Sequence, residues 1–414
     1  MSFVDLRLSE PLLRAVNEAG YREPTPIQTA TIPQVLAGRD IVASAQTGTG
    51  KTAAFALPIL QRFVASATNP PKRSKVIRAL TLCPTRELAQ QIMNSFRTYG
   101  KHTSLKYGVV FGGVNQGPQA RFLRDGVDVL VATPGRLLDL LNQGLVSLDA
   151  IEVLVLDEAD RMFDMGFLPD LRKILARLPR ERQTLLFSAT MPPAIRELAN
   201  KILRNPVPVQ VSRVSSVTPT VDHWVHHVEK PAKPALLLKL LGQSPRTRTL
   251  VFTRTKHGAD KVASQLLRVG VSAAAIHGNK SQGARTRALA DFKSAESGVL
   301  VATDLAARGL DVHDISHVIN YDLTSDPETY IHRVGRAGRA GAKGIAISFC
   351  TSEDRDDLRS IERLLQKPLQ RAAAIAGNDN IKSVENRGSK PAPAKRPVER
   401  PRNATRAHVE AARR

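Results

Sequence analysis

The chain has 414 residues, 42% of them hydrophobic, with a formal net charge of +22 and a pI near 10.5; that length predicts two domains rather than one core. No apolar run approaches a membrane span, Met1–Arg7 lacks a secretory signal pattern, and the 2 cysteines, Cys83 and Cys350, lie far apart, which argues against a disulfide framework or zinc site and fits a cytoplasmic protein. The charge points to a polyanionic partner, and an aromatic content of only 4% favours phosphate and sugar contacts over base stacking.

From about Leu36 to Val211, strand-like apolar runs alternate with longer helical patterns, which predicts βαβ units and a parallel sheet. The first run, Asp40–Ala43, leads into Ala45-Gln46-Thr47-Gly48-Thr49-Gly50-Lys51-Thr52 and then a helical pattern from Thr52 to Phe63. Strand, glycine loop and helix in that order form the context of a phosphate-binding loop, although Ala45 stands where the first glycine usually is. Backbone N–H groups at the helix N-terminus would receive phosphates. Lys51 would reach the β- and γ-phosphates, and the Thr52 hydroxyl would hold Mg²⁺. Further runs follow at Ala79–Cys83, Val127–Val131, Val153–Leu156 and Thr184–Phe187. The third of these ends in Asp157-Glu158-Ala159-Asp160. There Asp157 is placed to hold the metal and Glu158 to position an attacking water, so ATP and Mg²⁺ are the expected cofactors.

Residues 212–220 read as a linker between a domain at 1–211 and a second α/β domain at 221–370. Strand runs resume at Thr249–Phe252, Ser272–Ile276, Gly298–Val301, His317–Asn320 and Gly344–Phe349, with no phosphate loop of their own. In Tyr330–Arg339, Arg333, Arg336 and Arg339 recur at three-residue spacing, close to one helical face. Gly335 and Gly338 weaken that helix and suggest a close approach. Arginines brought from a second domain to a γ-phosphate are what an arginine finger requires. Residues 371–414 hold eleven Lys/Arg against four Asp/Glu, a net of +7, with four prolines; this composition predicts a disordered basic tail.

Taken in order, these motifs resemble the DEAD-box RNA helicases of superfamily 2, and the resemblance runs from Phe3 to about Phe349. It implies two tandem RecA-like parallel-sheet domains. Gly20–Gln28 is similar to the adenine-reading Q motif, so Phe3, Tyr21 and Gln28 are implied in ATP binding. Pro84-Thr85-Arg86-Glu87-Leu88-Ala89, Gly112-Gly113 and Thr133-Pro134-Gly135-Arg136 resemble RNA-backbone contacts of the first domain. Ser188-Ala189-Thr190 resembles the motif that links Asp160 to closure. In the second domain, Arg254 and Gln282-x-x-Arg285 resemble RNA-side motifs. Ala302–Asp311 resembles a segment serving both ligands: Thr303 and Arg308 towards RNA, Gly309 and Asp311 towards the nucleotide. Arg336 and Arg339 are implied as fingers, with His332 coupling them to the closed state. Met1-Ser2-Phe3, the Gly20–Gln28 stretch and His277–Gln282 look most similar to the bacterial RhlE-type group. Asn279, Thr324 and Ala337 depart from the commoner residues at their positions without touching an expected ligand.

The resemblance implies RNA-stimulated ATP hydrolysis coupled to separating short RNA duplexes or remodelling RNA–protein complexes, with little sequence preference. Two other readings stay open: a nucleotide-gated RNA-binding scaffold, and a DNA translocase. The tail is equally compatible with an arm for RNA or protein partners and with a solubilising extension. The RNA target, pathway and oligomeric state are not specified by the sequence, and ribosome assembly and RNA degradation are both compatible with it.

Overall fold

The computed structural model describes residues 2–45, 48–66, 76–210, 221–243, 248–295, 298–307, 312, 315–338 and 343–372. The chain divides into two units, Met1–Ala373, which carries both sheets, and Ala374–Arg414. The expected linker at 212–220 lies outside the described residues, as does the expected tail apart from Arg371 and Ala372.

The first sheet is built from β1 (Ile41–Ser44), β2 (Ala79–Leu82), β3 (Tyr107–Val110), β4 (Val129–Ala132), β5 (Val153–Leu156), β6 (Gln183–Ser188) and β7 (Val207–Gln210). The second holds β8 (Val221–His227), β9 (Arg248–Phe252), β10 (Ala273–Ile276), β11 (Gly298–Ala302), β12 (Ile315–Asn320), β13 (Gly344–Cys350) and β14 (Gln370–Arg371). The orders are β3-β4-β2-β5-β6-β1-β7 and β10-β11-β9-β12-β13-β8-β14. Counted from its own first strand, each sheet has the same arrangement, and every pairing is parallel. The expected pair of α/β domains is therefore present.

The central strands read as unbroken apolar runs because helices cover both faces of a parallel sheet. Alternation along the strand divides their side chains between two cores. Ala79, Val129, Val131, Val153, Val155, Leu185 and Phe187 enter one, and Leu80, Leu82, Leu130, Leu154, Leu156 and Leu186 the other. The second sheet repeats the division, with Leu250, Leu300 and Val318 on one face and Val251, Val299, Val301 and Ile319 on the opposite one. Backbone pairing in this sheet continues to Ala372, whose N–H donates to Val225 O at 3.1 Å, two residues past the boundary expected at 370.

Register brings the functional motifs to a common edge. Ser44 lies opposite Ser188, Leu82 opposite Leu156 and Leu82 opposite Ala132. The segments leaving these ends, from Ala45, Cys83, Thr133, Asp157 and Ala189, thus emerge side by side at the carboxyl ends of the strands, where open α/β sheets bind ligands. In the second sheet Phe252 lies opposite Ala302 and Asn320, which does the same for Thr253, Thr303 and Tyr321.

Candidate active site

The phosphate loop leaves β1 at Ala45, whose N–H donates to Ser188 O at 3.2 Å. Gln46 and Thr47 lie outside the described residues. Gly48 and Gly50 adopt φ of 87° and 93°, a left-handed conformation that favours glycine. At Gly50 space is short as well: a Cβ would lie 2.5 Å from Gln28 Nε2 and 2.8 Å from Thr25 Oγ1. Lys51 opens the helix Lys51–Ser66 with Thr52 beside it. Lys51 is 6% exposed and its Nζ stands 4.0 Å from Asp157 Oδ1. Thr49 also lies in this loop.

Gln28 is 1% exposed; its Nε2 donates to Gly50 O at 3.1 Å and its Oε1 accepts from Thr25 N at 2.9 Å. The amide thus ties the Q stretch to the phosphate loop. The two aromatics expected near a base differ. Phe3 is 4% exposed within the core, whereas Tyr21 is 40% exposed and stands edge-on to Tyr99. Phe3 packs beneath the region and offers no open ring face; Tyr21 does.

β5 delivers a buried acidic cluster: Asp157, Glu158 and Asp160 are 2%, 3% and 4% exposed. Glu158 takes a left-handed conformation, φ 53° and ψ 52°, and its N–H donates to Asp157 Oδ1 at 3.0 Å. The hydrogen bond from Glu158 N and the approach of Lys51 both fall on Asp157 Oδ1. Burial pushes the Asp157 carboxyl up against the opposing pull of Lys51. Burial also penalises Glu158, but Arg161, Lys51 and Arg336 outweigh it and hold this carboxyl below its ordinary range. Asp160 is fixed from two sides. Its N–H donates to Ser188 Oγ at 3.0 Å, and its Oδ2 accepts from Ala189 N at 3.1 Å, Thr190 N at 2.8 Å and Thr190 Oγ1 at 3.0 Å.

The second sheet supplies the facing wall. Phe252, Asp304, Thr329, His332 and Arg336 share one small cavity with Arg161 of the first. Burial, with Arg161 as the next cause, lowers the His332 pKa, and Asp160 and Glu158 also act on it; it is therefore a neutral ring at neutral pH. Arg333 and Arg336 do not share a helical face. The helix Pro327–Val334 stops at Gly335, and a turn closed by Arg336 N to Arg333 O at 3.1 Å carries Arg336 onward. Gly344, at the start of β13, lets this turn approach: a Cβ there would lie 2.6 Å from Gly338 N. Arg333 is a structural pin, 2% exposed. It pairs bidentately with Asp304 at 2.5 and 2.8 Å and donates to Asn320 Oδ1 at 3.1 Å and Asp322 O at 2.7 Å. Arg308, Gly309, Asp311 and Arg339 lie outside the described residues.

A second cluster spans the two sheets beside this site. Thr85 caps the helix Arg86–Tyr99, its Oγ1 accepting from Leu88 N, and so aims Arg86 just after Pro84. Arg86 Nη1 donates to Gln282 Oε1 at 3.2 Å. Glu87 Oε1 accepts from Gln282 Nε2 at 3.1 Å and pairs with Arg285 Nη2 at 2.9 Å. Gly113, at φ 73°, lies under the Arg86 guanidinium, against which any Cβ would collide. Burial, with Arg285 and Arg136 nearby, lowers the Arg86 pKa, so three guanidiniums converge. Arg136 Nη2 donates to Val114 O at 3.2 Å, but Arg136 Nε and Nη1 and Arg285 Nε are buried without a partner among the described residues. Buried donors on clustered cations call for an anion. Thr133 is buried and Thr303 half-buried at the matching strand ends. Arg254 is not in this cluster: it donates to Leu323 O at 3.2 Å and Asp354 Oδ1 at 3.3 Å.

Sequence reasoning missed Arg161 and Gly344, and it placed Glu87 in a stretch resembling RNA-backbone contacts without its pairing to Gln282 and Arg285. Arg161 was signalled only by following the acidic run.

Comparison with known proteins agrees with this geometry. A DEAD/DEAH box helicase family model matches residues 25–198, and a helicase conserved C-terminal domain model matches residues 232–341. The ATP-dependent RNA helicase CshA of Limosilactobacillus reuteri is 43% identical over 364 residues, 88% of this chain and 72% of the relative. The DEAD-box ATP-dependent RNA helicase RhpA of Helicobacter pylori is 42% identical over 379 residues, 92% and 75% of the two chains. Among solved structures, S. cerevisiae Dbp5 bound to RNA and ADP BeF3 superposes with a TM-score of 0.79 at 32% identity, covering 90% of this chain and 95% of that one. Mss116 bound to ssRNA and UDP-BeF gives 0.80 at 26% identity, covering 88% and 78%. With both halves matched in order, and the acidic run, phosphate loop and facing arginine all in place, the chain belongs to the DEAD-box RNA helicase family.

Proposed function

We propose that this chain is an ATP-dependent RNA helicase in which RNA-stimulated ATP hydrolysis drives local separation of short duplexes or remodelling of RNA–protein complexes. The observation that carries the reading is the shared site. Lys51, Asp157 and Glu158 stand on one sheet, and His332 and Arg336 of the other act on the buried Glu158 carboxylate. Neither half suffices alone.

In this reading Lys51 and the loop N–H groups bind the ATP phosphates, and Glu158 orients the attacking water. Arg336 meets the charge that develops on the transferred group, a role in which an arginine finger contributes about 10³–10⁵ in rate. Arg339, Gly309 and Asp311 are assigned to the same face, and Gln28 and Tyr21 to the adenine. Asp157 Oδ2 and the Thr52 hydroxyl fit a hard cation that takes oxygen ligands. Bound there, Mg²⁺ would neutralise phosphate charge. Arg86, Gly113, Arg136, Arg285, Thr133 and Thr303 are assigned to the RNA backbone, with Pro84, Thr85, Arg254 and Arg308. Contacts of this kind carry little sequence preference, and A-form geometry with its 2′-hydroxyls favours RNA over DNA. Asp160, Ser188, Thr190 and His332 are the coupling group.

Finer assignments rest on the sequence: domains at 1–211 and 221–370, a bacterial RhlE-type subgroup, a cytoplasmic setting, and an RNA- or protein-binding role for 371–414. No helix among the described residues is long and apolar enough to cross a membrane.

The test is steady-state ATP hydrolysis with and without generic single-stranded RNA, alongside Glu158→Gln. RNA stimulation that vanishes in the variant is expected. Equal hydrolysis with and without RNA, or stronger stimulation by DNA, would overturn the assignment.

A further inference from the structure

Arg161 has no place in the roles set out so far, yet it is held as firmly as the residues that do. Its side chain is 4% exposed, and its Nη1 lies 3.1 Å from Glu158 Oε2, itself 4% exposed. Its N–H donates to Asp160 Oδ1 at 3.0 Å, so the backbone beneath it is tied to the Ser188–Thr190 network. Arg161 also lines the cavity shared with Thr329, His332 and Arg336 of the second sheet. One side chain therefore touches the carboxylate assigned to water and also meets the wall that carries the finger.

The pair is poorly explained as a source of stability. A buried ion pair gives up two solvation shells, and well-packed apolar residues do as well or better. Placement is the better account. The Glu158 backbone is fixed in a left-handed conformation, but a glutamate still has three side-chain torsions, and at its far end the carboxylate must hold a water to within a fraction of an ångström. Arg161, one turn along at i+3, supplies a planar donor fork for that carboxylate. Because Arg161 also lines the cavity with His332 and Arg336 and acts electrostatically on His332, its surroundings depend on the second domain being in place.

We propose that Arg161 is a positioning residue for hydrolysis: it anchors the Glu158 carboxylate and makes that anchoring conditional on domain closure. The inference rests on Glu158 being the water-orienting group. Arg161 touches no reacting atom and acts through Glu158.

The experiment uses the full chain and four variants: Arg161→Gln, Arg161→Lys, Glu158→Gln and the double Arg161→Gln/Glu158→Gln. ATP hydrolysis is followed at saturating single-stranded RNA in steady state and single turnover, beside binding of a fluorescent ADP. Arg161→Gln is expected to lower kcat about 10- to 100-fold, the range for a misplaced catalytic group. ATP KM and ADP affinity should stay within about threefold, since uniform binding is untouched. Arg161→Lys should fall between Arg161→Gln and the parent. In the Glu158→Gln background, removing Arg161 should cost nothing more, as required of a residue that acts through another. Parental kcat in Arg161→Gln overturns the proposal, and so does a further loss of the same size in the double variant, which would mean direct contact with the phosphate. Should Arg161→Gln fail to fold, Arg161→Lys carries the test: a several-fold loss of kcat at unchanged ADP affinity supports the proposal, and parental kcat overturns it. A fully active Glu158→Gln would sink the reading of Glu158 itself. A dead Glu158→Gln beside a fully active Arg161→Gln would sink this inference alone.

Discussion

Substituting Gly113 by alanine separates the RNA contacts from the rest of the machine. The residue sits at φ 73°, where a Cβ costs about 1–2 kcal/mol. The new methyl would also fall on Arg86 Cζ, Nη1 and Nη2. These atoms end a flexible side chain, so the fold survives and the guanidinium moves. The move breaks its 3.2 Å bond to Gln282 and takes the cation from the position assigned to a phosphate. A hydrogen bond to a charged group contributes about 1.5–3 kcal/mol, which converts to about 10- to 100-fold in RNA affinity.

Fluorescence anisotropy of a labelled single-stranded RNA, with a non-hydrolysable ATP analogue present, measures that loss. Gly112→Ala is the control: its Cβ would meet Arg86 Nη2 at 3.8 Å, an ordinary contact, so RNA affinity should change less than about twofold. Nucleotide affinity without RNA should be unaltered in both. Undiminished RNA binding by Gly113→Ala, or an equal loss in Gly112→Ala, would refute the assignment of Arg86 and the geometry behind it.

Three further outcomes follow from single contacts. In Gly50→Ala the Cβ would sit 2.5 Å from Gln28 Nε2 at a φ of 93°; ATP KM should rise at least about tenfold while RNA binding without nucleotide is retained, and an unchanged KM would count against Gln28 as a support of the loop. Glu87→Gln removes the charge opposite Arg285, a pair 2.9 Å apart with both side chains largely buried. The RNA concentration that half-closes the domains, read by interdomain fluorescence transfer, should rise about tenfold, and unaltered closure would show the pair to be incidental. His223 is 3% exposed and bonded through Nδ1 to Tyr330 Oη at 2.8 Å; burial lowers its pKa from 6.5 to about 4. The unfolded chain therefore takes up this proton first, and stability falls as pH drops from about 6.5 towards 4, by about 2 kcal/mol at pH 5. Urea denaturation of His223→Gln should show a pH 7-to-5 loss smaller by about that amount, and an identical loss would exclude His223 as a cause.

How much of this could be read from the sequence depended on where each residue's partners lie. The central strands were legible because both faces are buried, so Val153–Leu156 and Gly298–Ala302 are unbroken apolar runs. β3, β7 and β14 were not, since they are short strands at or near sheet edges, with Pro208 inside β7. β8 was hidden because it alternates: Asp222 and His227 are exposed while Val221, His223 and Val225 are buried. The phosphate loop and the acidic run were readable because each is local. Arg333 and Arg336 look alike in sequence and are equally buried; only their surroundings assign the first to Asp304 and the second to Glu158. The pairing of Arg86 and Glu87 with Gln282 and Arg285 spans nearly 200 residues, and no local pattern encodes it.

The same strand order in both sheets bears on why closure is conditional. Two such domains bring the carboxyl ends of their strands to a common site, but what meets there is mostly charge. The Glu87–Arg285 pair across it gives back little of what it loses in desolvation, so the protein's own contacts hold the seam weakly. Arg86, Arg136 and Arg285 cluster, with N–H groups on Arg136 and Arg285 that have no partner among the described residues, and Lys51 and Arg336 add cationic charge at the nucleotide side. Two polyanions would complete these clusters: phosphates of ATP at one end and the RNA backbone at the other. Each stabilises the arrangement that the other needs, which is the condition for reciprocal coupling of about 1–3 kcal/mol. Hydrolysis cuts the γ-phosphate from the nucleotide, its release takes that charge from the site, and the seam returns to its incomplete balance of charge.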